Sequence, residues 1–362
     1  MKAFKSIVPA LLLSLAATSA FAQGVWTPRT SGSTNALNGV AWTGTQLVAV
    51  GRSATDGTFP ATIVTSPDGI TWTSRTSGTN ISLNAVVWAG TQLVAVGYTG
   101  AILTSPDGIT WTTRVSGTTM ALYAVTWNGT QIVAVGQNNT ILTSTNGVTW
   151  TAQASPNTTA HLTGIAWSGS QFAVVGVSGY CITSPDGITW TRRSDFSGTM
   201  NAVVWAGSQF VAVGASAFAG SLPAPVYTSP DGVTWTSRSA GNGVFYGLVS
   251  TGALLVGVGQ GGMVMTSPDG ITWTNRPTGV QANLYAIAFT TTSFTAVGNV
   301  GFGDNAQATI LTSVLGSTGI RTPSAGAASM PHITTPAPGT IRGYRADGRL
   351  PVRGATTDIG TP

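Results

Sequence analysis

The sequence predicts an all-β fold in which seven four-stranded antiparallel blades form a ring, a seven-bladed β-propeller. Three observations predict it. A turn phrase of the type SPDGITW occurs six times, a strand phrase of the type LNAVVW occurs seven times, and a second strand phrase of the type QLVAVG follows each of those seven. Repetition at intervals of about 40 residues is typical of propeller blades, none of which buries its apolar surface alone.

Each repeat is expected to contain four strands. In the second repeat these are LNAVVW from Leu83, QLVAVG from Gln92, ILTS from Ile102 and ITWT from Ile109, with the SPDG turn before the last. The phrases are short, rich in Val, Ile and aromatic residues, and bounded by Gly, Asn and Thr, as strands of a packed all-β protein are.

The last repeat lacks its fourth strand. Its third strand, Ile310 to Ser313, runs on without a turn phrase or a tryptophan, whereas Val25 to Arg29 near the N-terminus matches the fourth-strand pattern W-T-x-R. We therefore expect the N-terminal strand to complete the last blade, because ring closure removes the free sheet edges that an open array exposes. The propeller should occupy residues 23–316.

The segments outside the propeller suggest an exported protein. Residues 1–22 combine a basic start, an apolar core and the small-residue site Ala20-Phe21-Ala22, the pattern of a secretory signal peptide. No other stretch is apolar for long enough to span a bilayer. We expect a monomer in the periplasm, at the cell surface or outside the cell.

Two segments follow the propeller. Residues 317–339 have the Pro, Ala, Ser and Thr content of a linker. Residues 340–362 resemble the opening of a C-terminal sorting domain of secreted surface proteins, without that domain's remaining strands. A truncated domain and a chance resemblance are both open interpretations.

Composition disfavours several classes of function. The chain has 13 arginines, 10 aspartates and no glutamate, and only 7% of its residues are charged. With both lysines in the signal segment, the remaining charge of about +3 is dispersed, which is a poor footprint for nucleic acid. The histidines, His161 and His332, are far apart, so no metal site or cofactor is expected. Cys181 is the only cysteine, and we interpret it as a small buried apolar residue.

The turn phrase resembles the Asp-box, or bacterial neuraminidase repeat, with one residue fewer between Asp and Gly. Five copies match closely, and the copy at Ser144 to Trp150 has Thr145 and Asn146 in place of Pro and Asp. In such a turn the aspartate can accept backbone N–H groups while glycine takes the positive φ. The aspartates expected in this structural role are Asp68, Asp107, Asp186, Asp231 and Asp269.

The resemblance extends to sialidase-type enzymes, whose chemistry requires a Tyr and Glu pair, an acidic Asp and three arginines around the substrate carboxylate. This chain has no glutamate, and its arginines recur at one repeated place three residues after a blade tryptophan. We therefore expect no enzymatic activity and assign no catalytic residue. A glycosidase would require Asp56, Asp195 or Asp304 to pair across the propeller.

Differences between the copies indicate where a ligand would bind. The link between the second and third strands is longer at 52–60, 215–225 and 299–307, on the face opposite the SPDG turns. The second residue of each innermost strand also varies, and these residues should form a collar at the mouth of the central channel. The collar residues are Asn38, Asn84, Tyr123, Thr163, Asn201, Tyr246 and Tyr285.

The collar favours a non-catalytic binding module whose ligand is a carbohydrate or another extracellular polymer, because sugars stack on tyrosine rings and bond to amides. The alternative for these side chains is local hydrogen bonding at strand ends. A rival hypothesis comes from the photosystem assembly-factor propellers, which this repeat style resembles. That resemblance implies a protein partner held by an arginine-bearing surface, here Arg75, Arg114, Arg193, Arg238 and Arg276.

Overall fold

The computed structural model describes residues 24–54, 59–156, 159–193, 196–215, 223–301 and 307–314. These residues form 28 strands in seven antiparallel four-stranded sheets. The predicted fold class, a seven-bladed all-β propeller, is therefore confirmed.

The first four blades each use four strands that are consecutive in the sequence. Blade 1 contains β2 (Leu37–Trp42), β3 (Leu47–Gly51), β4 (Ile63–Ser66) and β5 (Thr73–Arg75). Blade 2 contains β6 (Leu83–Trp88), β7 (Leu93–Gly97), β8 (Ile102–Ser105) and β9 (Thr112–Arg114). Blade 3 contains β10 (Leu122–Trp127), β11 (Ile132–Gly136), β12 (Ile141–Ser144) and β13 (Thr151–Ala152). Blade 4 contains β14 (Leu162–Trp167), β15 (Phe172–Gly176), β16 (Cys181–Ser184) and β17 (Thr191–Arg192).

Blades 5 and 6 follow the same order, and blade 7 takes one strand from the other end of the chain. Blade 5 contains β18 (Thr199–Trp205), β19 (Phe210–Ala215), β20 (Pro223–Ser229) and β21 (Thr236–Asn242). Blade 6 contains β22 (Phe245–Ser250), β23 (Leu255–Gly259), β24 (Val264–Ser267) and β25 (Thr274–Asn275). Blade 7 contains β26 (Asn283–Phe289), β27 (Ser293–Val300), β28 (Gln307–Val314) and β1 (Thr27–Arg29).

Ring closure occurs as the sequence predicts. β1 pairs antiparallel with β28, with Thr27 opposite Thr312 and Arg29 opposite Ile310. Trp26, which precedes β1, is 8% exposed and packs in the apolar cluster between blades 6 and 7. The N-terminal strand thus covers the outer edge of β28 and joins the two ends of the described propeller.

The core lies between the blades. Seven buried apolar clusters fill the seven seams between neighbouring blades, including the closing seam between blades 7 and 1. Each first strand contacts the first strands of both neighbouring blades, so these strands line the centre of the ring. Both faces of the first and second strands are covered by neighbouring blades. This explains why second-strand phrases such as LVAVG are continuously apolar and buried. Cys181 belongs to one seam, between blades 4 and 5, and is fully buried.

The two faces of the ring differ in regularity. The turn face carries the SPDG turns, and the link face carries the connections between second and third strands. In four blades the link is a single 3₁₀ turn with a positive φ at its central residue. These turns are Tyr98–Gly100, Gln137–Asn139, Val177–Gly179 and Gln260–Gly262.

The longer links lie in blades 1, 5 and 7, and parts of two of them are strand rather than loop. Pro223 to Pro225 begin β20, and Asn299 and Val300 end β27. Residues 55–58, 216–222 and 302–306 of these links lie outside the described residues. The helical segments of the described ranges are these short 3₁₀ turns, and none has the length and hydropathy to cross a membrane.

Candidate binding surfaces

The SPDG turns share one hydrogen-bonding arrangement. In blade 1, Asp68 Oδ1 accepts the backbone N–H groups of Ile70 (2.8 Å) and Thr71 (2.9 Å). The Gly69 N–H donates to Ser66 Oγ at 2.8 Å, and Gly69 has a φ of +74°. The indole N–H of Trp72 donates to the Gly69 carbonyl at 3.0 Å, so the turn also fixes the ring that packs in the seam.

The same arrangement holds the other aspartates. Asp107, Asp186, Asp231 and Asp269 each accept two backbone N–H groups through Oδ1. These bonds hold the pKa of each carboxyl below its usual value, and at Asp269 they outweigh partial burial, which acts in the opposite direction. The carboxylates are therefore ionised at neutral pH and bound to their own turns.

The arginines of the fourth-strand position lie on the outer edges of the blades. In blade 2, Arg114 Nε donates to Thr104 Oγ1 of the adjacent strand at 2.8 Å. The remaining equivalents make the same bond and are half-buried. They are Arg29 to Thr312, Arg75 to Thr65, Arg193 to Thr183, Arg238 to Thr228 and Arg276 to Thr266. Six blades thus present a guanidinium at one structural position on the circumference.

Blade 3 makes the same bonds without either charge. Asn146 Oδ1 accepts the N–H groups of Val148 and Thr149, both at 2.9 Å. Gln153 Nε2 donates to Thr143 Oγ1 at 2.8 Å, the distance found for Arg114 in blade 2. Neither the carboxylate nor the guanidinium charge is therefore required for these contacts.

The collar residues all occupy a β-bulge. In every blade the pairing of the first and second strands skips the collar residue, as at Asn38 between Leu37 and Gly39. A bulge leaves its extra residue unpaired and redirects its side chain. The sequence placed these seven residues at one level of the ring without showing that each is a bulge.

The amide groups of the three collar asparagines donate to carbonyl oxygens of the neighbouring blade. Asn38 Nδ2 donates to the Leu83 carbonyl at 2.9 Å, and Asn84 Nδ2 donates to the Leu122 carbonyl at 2.8 Å. Asn201 Nδ2 donates to the Phe245 carbonyl at 2.6 Å. The three side chains are at most 3% exposed.

Thr163 makes the corresponding contact in blade 4. Its Oγ1 lies 2.5 Å from the carbonyl oxygen of Met200 in blade 5, and 3.2 Å from that of Val175. Four of the seven collar residues therefore bind the start of the next blade. The sequence left hydrogen bonding at strand ends open as an alternative, and these four side chains make such bonds with partners in the next blade.

The collar tyrosines lie in two separate groups. Tyr246 and Tyr285 pack together with their ring centroids 5.3 Å apart and an interplanar angle of 49°. Tyr123 instead lies between Tyr98 and His161, at 6.4 Å from each. The three predicted stacking rings do not form one platform.

Burial sets the chemistry of the tyrosine pair. It raises the pKa of Tyr246 to about 12, with a smaller contribution from Tyr285. Burial also raises the pKa of Tyr285, while the Arg52 charge and a hydrogen bond with Asn283 act in the opposite direction. Both phenols are therefore neutral at physiological pH. Tyr285 is 8% exposed, which leaves little of its ring for stacking.

The second aromatic group includes the one described histidine. The backbone N–H of Asn138 donates to His161 Nδ1 at 3.2 Å. Partial burial lowers the pKa of His161, which favours the neutral ring that this contact needs. In the described ranges no three His, Cys, Asp or Glu side chains are grouped to hold a metal ion. Asp56, Asp195, Asp304 and His332 lie outside the described residues, so the glycosidase hypothesis stays a prediction.

The glutamine of the QLVAVG phrase has a role that sequence reasoning missed. Gln46 Nε2 donates to the Asp107 carbonyl of the next blade at 2.7 Å, and Gln209 Nε2 makes the same contact with Asp269 at 2.7 Å. Gln92 reaches Asn146 in this way, and Gln171 reaches Asp231. Glutamine stands directly before the second strand in five repeats. This recurrence could have indicated the contact, because a surface position without a structural role would vary between copies.

Known structures share this architecture. YCF48 bound to D1 peptide is 17% identical over 81% of this chain and 98% of its own, with a TM-score of 0.62. YCF48 from Cyanidioschyzon merolae is 16% identical over 80% of this chain and 98% of its own, with a TM-score of 0.58. No family model and no curated protein matches the chain. At these identities the likeness establishes a common propeller fold.

Proposed function

We propose that this chain is an exported, non-catalytic scaffold of the Asp-box type that binds a segment of a partner protein through the arginines on its outer edge. The proposal of export rests on the signal-like residues 1–22, and that of the Asp-box type on the five SPDG turns. The surface is formed by Arg29, Arg75, Arg114, Arg193, Arg238 and Arg276, and is called the arginine rim below.

One observation carries the proposal: the fold does not require the charge of the rim. Gln153 makes the same bond to a strand-three threonine as Arg114 does, at the same 2.8 Å. The rim arginines nevertheless place six positive charges around the circumference, while the described aspartates are bound to turns on the turn face. A guanidinium anchored through Nε still has its Nη groups to bind carboxylates.

A protein partner fits this surface better than a carbohydrate fits the collar. Three collar asparagines donate their amide groups to backbone carbonyls, and Tyr285 is nearly buried. Arginine, in contrast, is enriched in protein–protein interfaces and in their hot spots. The solved structure of YCF48 bound to D1 peptide gives a propeller of similar fold with a peptide ligand, which supports the same class of ligand here.

The test is peptide binding to the full chain, measured by fluorescence anisotropy. The probes are labelled 12-residue peptides rich in Asp and Glu, with matched peptides in which Asn and Gln replace the acids. We expect acidic peptides to bind with an affinity that falls as salt rises. A variant with Arg75, Arg114, Arg238 and Arg276 changed to Gln should bind at least about 4-fold more weakly, since exposed charge pairs contribute roughly 0.2–1 kcal/mol each.

Blade 3 supplies the matched control. Changing Asp68, Asp107, Asp231 and Asp269 to Asn removes four opposite charges but keeps the turn contacts that Asn146 makes. This variant should bind acidic peptides at least as well as the unmodified chain. Equal binding of acidic and neutral peptides, or full binding by the four-Gln variant, would refute the proposal that the arginine rim binds the partner. A glycan array run in parallel would restore the carbohydrate hypothesis if it gave saturable binding lost on Tyr123→Ala.

A further inference from the structure

The seam between blades 5 and 6 lacks a side chain that other seams contain. The first strand ends in tryptophan in blades 1 to 5 and in phenylalanine in blade 7, whereas blade 6 ends its first strand with Ser250. The tryptophans at this position are half-buried at the turn face, and the rings of Trp88 and Trp127 pack against the clusters of their seams. Ser250 replaces a bicyclic ring with a hydroxymethyl group.

The turn of blade 5 can be compared with the turn of the same sequence in blade 2. Blades 2 and 5 share the sequence Trp-Ala-Gly before their second strands, with glycines at Gly90 and Gly207. A Cβ placed on Gly90 would lie 2.6 Å from Cη2 of Trp127, so the indole of blade 3 covers this turn. A Cβ placed on Gly207 would meet no atom within 4 Å. The turn of blade 5 is therefore uncovered where its counterpart is covered.

A notch remains at this place. Its volume is about 240 Å³, and Ala206, Ser208, Gln209, Ser250, Leu254 and Asp269 line it. We call it the Ser250 notch. The bond from Gln209 Nε2 to the Asp269 carbonyl persists at 2.7 Å, as does its counterpart from Gln92 to Asn146 at 2.8 Å. The two seams thus keep the same blade-to-blade contact, whereas the ring of Trp127 has no counterpart at Ser250.

The lining is mainly polar, with a smaller apolar part and one negative charge. Ala206 and Leu254 contribute apolar surface, and Leu254 is 5% exposed. The Asp269 carboxyl uses Oδ1 for the N–H groups of Ile271 and Thr272, and its pKa is below the usual value. Blade 3 has the neutral Asn146 at this position. An apolar cavity of about 150 Å³ suffices to hold benzene, so the volume of this notch allows a larger aromatic ring.

We propose that the Ser250 notch binds an indole-class aromatic ring that carries a positive charge. The ring would occupy the place that Trp127 fills at the seam between blades 2 and 3, and its cationic substituent would face Asp269. This site is on the turn face and is independent of the arginine rim.

The test is titration of the full chain with tryptamine, followed by methyl NMR. We expect saturable shifts of the Ala206 and Leu254 methyl groups. Ser250→Trp should fill the notch from within, as Trp127 fills its own seam, and weaken tryptamine binding at least 10-fold. Trp127→Ser should create a second site, with new shifts of the Ala89 methyl group. If Trp127→Ser does not fold, the Ser250→Trp comparison decides the question.

The charge at Asp269 gives a second readout. Tryptamine should bind several-fold more tightly than indole-3-acetate at low salt, because the carboxylate attracts the amine and repels the acid. Asp269→Asn should reduce that preference while keeping the turn contacts, as Asn146 does in blade 3. The proposal fails if tryptamine leaves the notch methyl groups unshifted, if Ser250→Trp binds as the unmodified chain does, or if the preference survives Asp269→Asn.

Discussion

Blades 2 and 3 have nearly the same backbone but different charges. Blade 2 carries Asp107 in its turn and Arg114 on its outer edge, where blade 3 carries Asn146 and Gln153. The turn acceptors lie 2.9 Å from their N–H donors in both blades, and the outer-edge donors lie 2.8 Å from threonine in both. The comparison teaches that hydrogen-bonding geometry shapes a blade, whereas the charges are additional to it.

The largest effect is expected at blade 7, whose outer strand comes from the other end of the chain. Deleting residues 24–29 removes β1 and Trp26 and exposes the edge of β28. Loss of a buried tryptophan alone costs about 3–5 kcal/mol. We expect a large fall in the calorimetric Tm and association through the exposed edge, visible by size-exclusion chromatography. An unchanged Tm would contradict closure by the N-terminal strand.

The next largest effect concerns the collar, whose asparagines join blades 1, 2 and 5 to their neighbours. Asn84→Ala leaves the carbonyl of Leu122 without its amide donor in a buried site, and should cost about 1–3 kcal/mol of unfolding free energy in denaturant titration. Asn84→Thr is the matched control, because Thr163 makes the equivalent contact in blade 4. Equal stability of the alanine and threonine variants would show that this bond contributes little.

Acid should weaken the turns that contain aspartate but not the turn of blade 3, which contains Asn146. The turn aspartates have folded-state pKa values below 3.8, so the stability that they contribute is complete above about pH 4 and is lost as the pH falls through the folded values. Changing Asp68, Asp107, Asp186 and Asp231 to Asn should flatten the dependence of Tm on pH in this window. If this variant loses Tm in acid as steeply as the unmodified chain does, groups other than these aspartates cause the acid sensitivity.

The smallest effect is expected on the outer edge. Arg114→Gln should change the unfolding free energy by no more than about 0.5 kcal/mol, because the glutamine can donate to Thr104 as Gln153 does to Thr143. Arg114→Ala removes the donor and should cost more, up to about 1 kcal/mol. A loss for glutamine as large as that for alanine would mean that the guanidinium itself, and not the bond to Thr104, stabilises blade 2.

The strands and turns were predictable because each is a local property. The phrases LNAVVW, QLVAVG and SPDGITW carry their apolar pattern and turn chemistry within a few residues, and the unmatched strand at Val25 to Arg29 indicated the closure. The candidate sites were less predictable. The sequence placed the collar residues at one level but not the direction of Asn38 and Asn84, and the glutamine contacts between blades went unrecognised.

The sequence by itself determined the number of blades, their strand order and the level at which each variable residue lies, because repeated local patterns encode secondary structure and its order. Only the tertiary structure decided which polar groups join two blades and which do not. That outcome depends on contacts between residues about 40 positions apart, such as Asn84 with Leu122. The Ser250 notch likewise lies between two blades, where the turn of blade 5 faces Ser250 of blade 6.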